Sequence, residues 1–230
     1  MHLHPPLSTS QTLAAALRPA LVLVSLICGP ALAAPAVETK AELARQRASA
    51  EVRQVVDWVV ATRDNQNSPF VIVDKKQARV FVFEPGGRLS GVSPALMGSA
   101  RGDHSVPGIG EREMSGILPE ERTTPAGRYV AEPGQNFHGE DIIWVDYDAA
   151  VSLHRVRANN PQEKRLERLA SATPADNRIS YGCINVPRAF YDQVVSPAFA
   201  GARGIVYVLP EVRRLAEVFG SLRPTSYSKR

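Results

Sequence analysis

Short runs of β-branched and aromatic residues, separated by turns that contain glycine or proline, restrict the fold of this chain more than any other feature of its sequence. The predicted strands are 70–73, 79–83, 88–97, 127–130, 141–145, 150–153 and 204–209. Many short strands with turn residues between them form packed or closed sheets. The sequence therefore predicts a mainly β fold, a sandwich or roll with short helices and an N-terminal helix.

Helical patterns flank these strands. Within residues 38–63, valines recur at spacings of three and four residues, which is typical of a helix with one apolar face. A second, short amphipathic pattern begins near residue 213. We therefore divide the chain into an N-terminal helix and linker (34–66), a β domain (67–212), and a C-terminal helix with a basic tail (213–230).

Two long polar segments interrupt the strands, residues 98–124 and 155–179, the second with a helical patch at 163–170. Segments of this length in a compact domain are usually either functional or disordered. The insert 155–179 returns directly to the only cysteine of the β domain, so we expect it to border any site there and to act as a lid. A solvated surface excursion is the alternative.

The N-terminus resembles an export signal. Arg18 precedes the apolar run 21–27, which is too short to span a bilayer, and Ala31-Leu32-Ala33 matches the small-residue cleavage pattern. We interpret residues 1–33 as a signal peptide that is cut after Ala33, and an uncleaved anchor is the alternative. The expected location is the periplasm, without stable membrane insertion after cleavage.

Charge excludes one class of partner. Removing residues 1–33 takes away Arg18 and no acidic residue, which leaves 26 of the 27 Lys and Arg against 23 Asp and Glu. This mild excess is compatible with a polyanionic surface. No dense basic run interleaved with aromatic residues is present, so nucleic-acid binding is not expected.

Cysteine usage points to one thiol. Cys28 lies in the predicted signal peptide, which leaves Cys183 without a disulfide partner in the mature chain. Such a thiol is either buried and inert or present for its reactivity. We predict a helix over 187–195 and expect Cys183 at or just before its N-terminus, where backbone N–H groups favour a thiolate and stabilise an oxyanion. Gly182 allows a substrate to approach closely.

A nucleophilic cysteine requires a base within hydrogen-bonding reach. The candidates in the mature chain are His104, His138 and His154. His154 follows a predicted strand, which is a rigid position suited to a base. His104 and His138 lie in polar loops, where a lone histidine is most often a solvated surface residue. Cys183 and scattered histidines form no metal-ligand cluster, so no metal or other cofactor is expected.

These residues resemble a known catalytic signature. A histidine at the end of a strand, followed by a loop and Ser180-Tyr181-Gly182-Cys183-Ile184-Asn185, resembles the L,D-transpeptidase (YkuD-type) family. The first hairpin and Thr124-Pro125-Ala126-Gly127 also resemble that family, and the likeness covers about residues 70–210. Tyr181 departs from the family, which usually has histidine there, and the insert 155–179 lengthens the usual spacing.

The resemblance implies an acyl transfer on peptidoglycan stem peptides. Cys183 would form a thioester with diaminopimelate and release D-alanine, while His154 acts as base and the backbone carbonyl of Arg155 or of a nearby residue orients its ring. Asn185 would brace the turn, Ser180 would either do the same or contact substrate, and Tyr181 would either offer its hydroxyl or fill space. Three arginines near the motif were chosen as candidates to bind substrate carboxylates: Arg155, Arg178 and Arg188.

Other functions stay open on the sequence alone. The same fold and nucleophile would serve an L,D-carboxypeptidase or an amidase-type hydrolase. A non-catalytic cell-wall-binding module is a second alternative, and a redox sensor is a third, although a sensor requires a resolving thiol that the mature chain lacks. We expect the protein to be a monomer.

Overall fold

The computed structural model describes residues 48–201, 203–220 and 222. The predicted signal peptide, residues 38–47 of the predicted helix and most of the predicted basic tail lie outside these residues. Helix α1 runs from Ala50 to Thr62, and the Ser49 hydroxyl accepts a hydrogen bond from the Val52 N–H. This is the capping contact that a serine provides at a helix N-terminus.

Short strands form the framework of the rest of the described chain. They are β1 Phe70–Asp74, β2 Arg79–Phe83, β3 Leu89–Pro94, β4 Met97–Gly98, β5 Gly127–Gln135, β6 Asp141–Asp146, β7 Val151–Arg155, β8 Arg178–Ser180, β9 Ile184–Val186 and β10 Gly204–Val208. The short α-helices are α2 Arg165–Ala170, α3 Arg188–Phe190, α4 Ser196–Ala198 and α5 Leu215–Phe219, and a π-helical turn, Tyr191–Val195, joins α3 to α4. The prediction of a mainly β fold is confirmed.

The main sheet has eight strands in the order β3-β2-β1-β10-β5-β6-β7-β9, and β4 pairs separately with β8. Strand β5 belongs to both halves of this sheet, because residues 127–131 pair with β10 and residues 132–135 pair with β6. One core cluster contains side chains from both halves, among them Val71, Val208, Leu153 and Ile184. The sheet therefore folds over an apolar interior, as in a sandwich or roll.

A second core covers the outer face of the β1–β10 half. Valines of α1, including Val52 and Val56, pack there with Phe70, Tyr207 and Phe219. Every residue of β1 is buried because this strand is covered on both faces. Helix α1 therefore packs against the sheet.

The segment that follows Cys183 differs from the prediction. Residues 184–186 form strand β9 and pair in parallel with β7, and the next helix begins only at Arg188. The expectation that Cys183 lies at a helix N-terminus is therefore wrong. Ile184 and Val186 are β-branched and fully buried. By pairing with the edge of β7, these residues form backbone hydrogen bonds and also bury their side chains in the core. The predicted strand 88–97 is also divided, into β3 and β4.

Candidate active site

Cys183 lies in the turn between β8 and β9, half-buried in a cleft of about 880 Å³. Residues of loop 99–124, among them Ile109 and Arg112, line this cleft. Residues of the insert 155–179, among them Asn159 and Arg165, line it as well. The expectation that the insert borders the site is confirmed.

His154 lines the same cleft from β7, the strand next to β9, and is paired in register with Asn185. Its Nδ1 atom lies 2.7 Å from the carbonyl oxygen of Arg155, as expected. A carbonyl only accepts hydrogen bonds, so Nδ1 carries the proton in this contact. The neutral ring is thereby left with Nε2 as its acceptor, which suits it to take a proton from a thiol.

The environment of the thiol favours its ionised form. Burial raises the pKa of the Cys183 thiol, but the hydrogen bond and charge of His154, with hydrogen bonds from Ser152, lower this pKa more, to below its ordinary value. The Cys183 Sγ atom lies 3.5 Å from both the Ser152 Oγ atom and the Ala150 carbonyl oxygen. Thiolate is the reactive form of cysteine, so His154 and Ser152 favour a reactive thiol at this position.

Side chains hold the Cys183 turn in one shape. The Ser180 hydroxyl donates to the Cys183 carbonyl at 2.7 Å and accepts from the Gly182 N–H at 3.1 Å. The Asn185 amide donates to the same Cys183 carbonyl at 3.0 Å. Both residues therefore brace the turn, as expected from the sequence.

Glycine is required at position 182. Its φ angle is +141°, a conformation that residues with a side chain rarely adopt, and a Cβ atom there would lie 2.8 Å from the carbonyl oxygen of Thr123. The Thr124 hydroxyl donates to the Gly182 carbonyl at 2.7 Å. Sequence reasoning assigns no role to this hydroxyl, although Thr124 opens the segment Thr124-Pro125-Ala126-Gly127.

The flanking aromatic residue and the remaining histidines have distinct positions. Tyr181 lines the cleft, and the Arg122 guanidinium stacks 4.1 Å from the centre of its ring. His104 and His138 are exposed. His138 lines a neighbouring cavity of about 860 Å³ and is not among the residues that line the Cys183 cleft.

The three arginines chosen from the sequence do not line the Cys183 cleft. Arg155 bonds Asp192 at 2.6 Å and Asp141 at 2.8 Å. Arg178 bonds Glu211 at 2.6 Å. Both guanidinium groups are thus held by ion pairs within the fold, and Arg188 lines the neighbouring cavity.

Three other arginines, which the sequence did not single out, do line the cleft. They are Arg112 in loop 99–124 and Arg157 and Arg165 in the insert. Arg165 also donates to the Asn185 side chain at 2.9 Å, directly beside the Cys183 turn. Their position in the two long polar segments is the sequence feature that could have identified these arginines, because long loops often carry binding residues.

The described residues contain neither a metal-ligand cluster nor a membrane-spanning helix. Within residues 48–201, 203–220 and 222, no group of three or more metal-ligating side chains lies close enough together to hold an ion. In the same part of the chain, no helix has the length and apolar character needed to cross a bilayer.

Comparison with known proteins adds a structural likeness. The catalytic domain of the E. faecium L,D-transpeptidase matches with 15% sequence identity and a TM-score of 0.36, over 62% of this chain and 98% of that domain. The chain is similar in structure to L,D-transpeptidases. Pgp2, a helical cell-shape-determining protein from Campylobacter jejuni, matches with 14% identity and a TM-score of 0.40, over 70% of this chain and 57% of Pgp2.

A further match is the L,D-transpeptidase LdtMt1, whose structure contains imipenem, with 14% identity and a TM-score of 0.35 over 62% of this chain and 59% of LdtMt1. No protein-family model and no curated protein matches the sequence. Identities and scores at this level carry no information about the reaction, so the function proposed below rests on the geometry of the cleft.

Proposed function

We propose that this protein is a cysteine acyltransferase that acts on peptidoglycan stem peptides, an L,D-transpeptidase. The arrangement of Cys183, His154 and the Arg155 carbonyl carries the proposal. The pKa of the Cys183 thiol is lowered, chiefly by His154 acting against the effect of burial, and the His154 Nδ1 atom contacts the Arg155 carbonyl at 2.7 Å. A cysteine with an adjacent, oriented imidazole is the arrangement required for covalent acyl transfer.

The first half-reaction follows from these positions. His154 Nε2 takes the thiol proton, and the Cys183 sulfur attacks the carbonyl at the L-centre of diaminopimelate in the stem peptide. When the tetrahedral intermediate collapses, the C–N bond to D-alanine breaks and His154 returns its proton to the leaving amine. The product is a Cys183 thioester with free D-alanine.

The second half-reaction decides the outcome. An acceptor amine attacks the thioester and gives a proton to His154, and the thiol is regenerated as a cross-link forms. Attack by water instead yields a trimmed peptide, which is the carboxypeptidase alternative. The exposed insert that borders the cleft is in a position to influence which acceptor reaches the thioester.

Substrate carboxylates have suitable partners in the cleft. Arg112, Arg157 and Arg165 line it, and a guanidinium binds a carboxylate with two parallel hydrogen bonds. In the unbound cleft these cations pair with Glu121, Glu140 and Glu163, respectively. We propose that stem-peptide carboxylates compete for these guanidinium groups, in place of the assignment to Arg155, Arg178 and Arg188.

Mass spectrometry of purified muropeptides incubated with the protein tests the function. We expect free D-alanine together with cross-linked peptide from the wild type, and neither from Cys183→Ala. Trimmed peptide alone would identify a hydrolase, and no product at all would favour a non-catalytic wall-binding module.

Intact-mass measurement with a carbapenem tests the nucleophile separately. We expect one covalent adduct on the wild type and none on Cys183→Ala. A wild type that carries no adduct but still turns over peptide would place the nucleophile elsewhere. A mixed disulfide with another periplasmic protein, found in place of a thioester, would favour the redox sensor.

We also propose that the chain is exported to the periplasm, on the strength of the apolar run 21–27 and Ala31-Leu32-Ala33. N-terminal sequencing of the periplasmic protein should start at or near Ala34. Full-length chain retained in the cytoplasm would contradict the proposed location.

A further inference from the structure

The orientation of one peptide group decides whether the proposed reaction has an oxyanion donor. Acyl transfer develops negative charge on the carbonyl oxygen of the substrate, and an N–H group aimed at that oxygen stabilises it. Cys183 does not lie at a helix N-terminus, so a row of free helical N–H groups does not serve this purpose. The N–H of Cys183 itself is the backbone donor closest in the chain to the nucleophile.

The carbonyl on the other side of the same peptide bond is fixed. Gly182 directs its carbonyl oxygen to the hydroxyl of Thr124, which is fully buried and donates to it at 2.7 Å. In a trans peptide the C=O and N–H groups point in opposite directions. A Gly182 carbonyl that faces the buried Thr124 therefore turns the Cys183 N–H away from the interior and toward the cleft.

We propose that Thr124 is a positioning residue that aims the Cys183 N–H at the oxyanion of the acyl-transfer reaction, an inference that rests on the function proposed above. Thr124 does not touch the substrate, because its side chain is buried beneath the turn. It acts through the Gly182–Cys183 peptide. That peptide needs such a contact, since glycine at position 182 allows rotations that other residues resist.

Thr124 is itself held on two sides. Its hydroxyl accepts a hydrogen bond from the Gly98 N–H at 3.0 Å, which directs the hydroxyl proton to the Gly182 carbonyl. Its own carbonyl accepts from the ammonium of Lys75 at 2.8 Å. Lys75 is fully buried and also bonds Asp103 at 2.8 Å. The orientation of the donor thus depends on contacts that extend through the fold to β1.

Loss of the hydroxyl has a definite consequence. Thr124→Val keeps the shape of the side chain but leaves the Gly182 carbonyl buried without a donor, which is unfavourable. The peptide then rotates toward another partner, and the Cys183 N–H leaves its position. Thr124→Ser keeps the hydroxyl and should preserve the contact.

Two reagents separate this role from general support of the site. A carbapenem acylates Cys183 through a carbonyl and generates an oxyanion, whereas iodoacetamide alkylates the thiol at a saturated carbon and generates none. In Thr124→Val we expect the acylation rate to fall on the order of 10²–10³-fold, the loss found when one oxyanion donor is removed. The alkylation rate should change little, and Thr124→Ser should restore acylation.

Each other outcome is decisive. Equal loss of acylation and alkylation would mean that Thr124 only maintains the shape of the site. Unchanged acylation would mean that Thr124 does not orient the Cys183 N–H. Either result overturns this inference and leaves the proposed function standing. A wild type that is alkylated but never acylated overturns the proposed function as well. Thr124→Ala gives the same comparison if thermal unfolding shows that the valine variant does not fold.

Discussion

Gly182→Ala is the substitution whose cost follows most directly from the structure. A residue with a side chain at φ +141° is strained, and the added Cβ atom would lie 2.8 Å from the Thr123 carbonyl oxygen. Backbone strain of this kind costs about 1–3 kcal/mol. The contact adds to this cost because the atom it meets belongs to the backbone of Thr123 and cannot move aside like the end of a flexible side chain.

Two control glycines separate the backbone strain from the close contact of the added Cβ atom. Gly139 has φ +74° with open space around its Cβ position, so Gly139→Ala has the strain without the contact. Gly116 has neither a positive φ nor a neighbour within 4 Å, so Gly116→Ala has neither cost. A domain of this size loses about 2–4 °C in Tm per kcal/mol. We expect Gly116→Ala to melt near the wild type, Gly139→Ala a few degrees lower, and Gly182→Ala lowest.

Thermal unfolding followed by circular dichroism measures the three variants, and alkylation of Cys183 by iodoacetamide reports on the turn itself. Only Gly182→Ala should also change the alkylation rate, because only that substitution displaces the thiol from His154 and Ser152. If Gly182→Ala melted with Gly139→Ala and reacted like the wild type, the turn would not need glycine and the account of its geometry would be refuted.

The remaining predictions concern the base, the thiol, the buried carboxylate of Asp103 and the insert. His154→Ala should lower peptide turnover on the order of 10²–10⁴-fold, while His138→Ala stays near the wild type. Because the pKa of Cys183 is lowered, chiefly by His154 against the effect of burial, its alkylation should persist at a pH where an ordinary thiol has stopped reacting, and this advantage should disappear in His154→Ala. Burial raises the pKa of Asp103, but backbone N–H groups and the Lys75 ammonium lower it more, to about 2 from 3.8. The ionised Asp103 therefore stabilises the folded state fully above pH 3.8, and this stabilisation is lost as the pH falls toward 2. Acid should accordingly lower the Tm of the wild type more than that of Asp103→Asn. Replacing residues 159–175 with a short Gly/Ser linker should preserve thioester formation but shift products from cross-linked to trimmed muropeptide, and an unchanged ratio in a folded variant would make the insert a surface excursion.

The sequence predicted the parts of the site that depend on local patterns. Strand runs such as 70–73 and 204–209 are continuous apolar segments, which the structure explains by burial on both faces. The turn before Cys183 was recognisable from glycine and serine alone. Strand β9 was missed because three residues are too few to show alternation, and its partner β7 lies some 30 residues earlier in the chain.

A geometric reason keeps the Arg155 side chain out of the cleft. Arg155 directly follows His154 in β7, but successive side chains of a strand point to opposite faces. In β7 the histidine faces the cleft, so the arginine faces away and meets Asp141 and Asp192 instead. Closeness in sequence is therefore a poor guide to a shared site on a strand, and residues from separate loops, such as Arg112, reach the cleft more readily.

Lys75 shows what no local pattern could have revealed. It lies in a segment that reads as a polar turn, yet its side chain is fully buried, and its ammonium bonds Asp103 and the Thr124 carbonyl. These partners are 28 and 49 residues away, so only the assembled fold can compensate the buried charge. Burial of the Lys75 ammonium is tolerated because each of its hydrogen-bond donors has an acceptor. One of these acceptors belongs to Thr124, whose hydroxyl holds the Gly182 carbonyl. The proposed nucleophile is thus recognisable from six consecutive residues, whereas the orientation of its backbone depends on contacts between segments far apart in the chain.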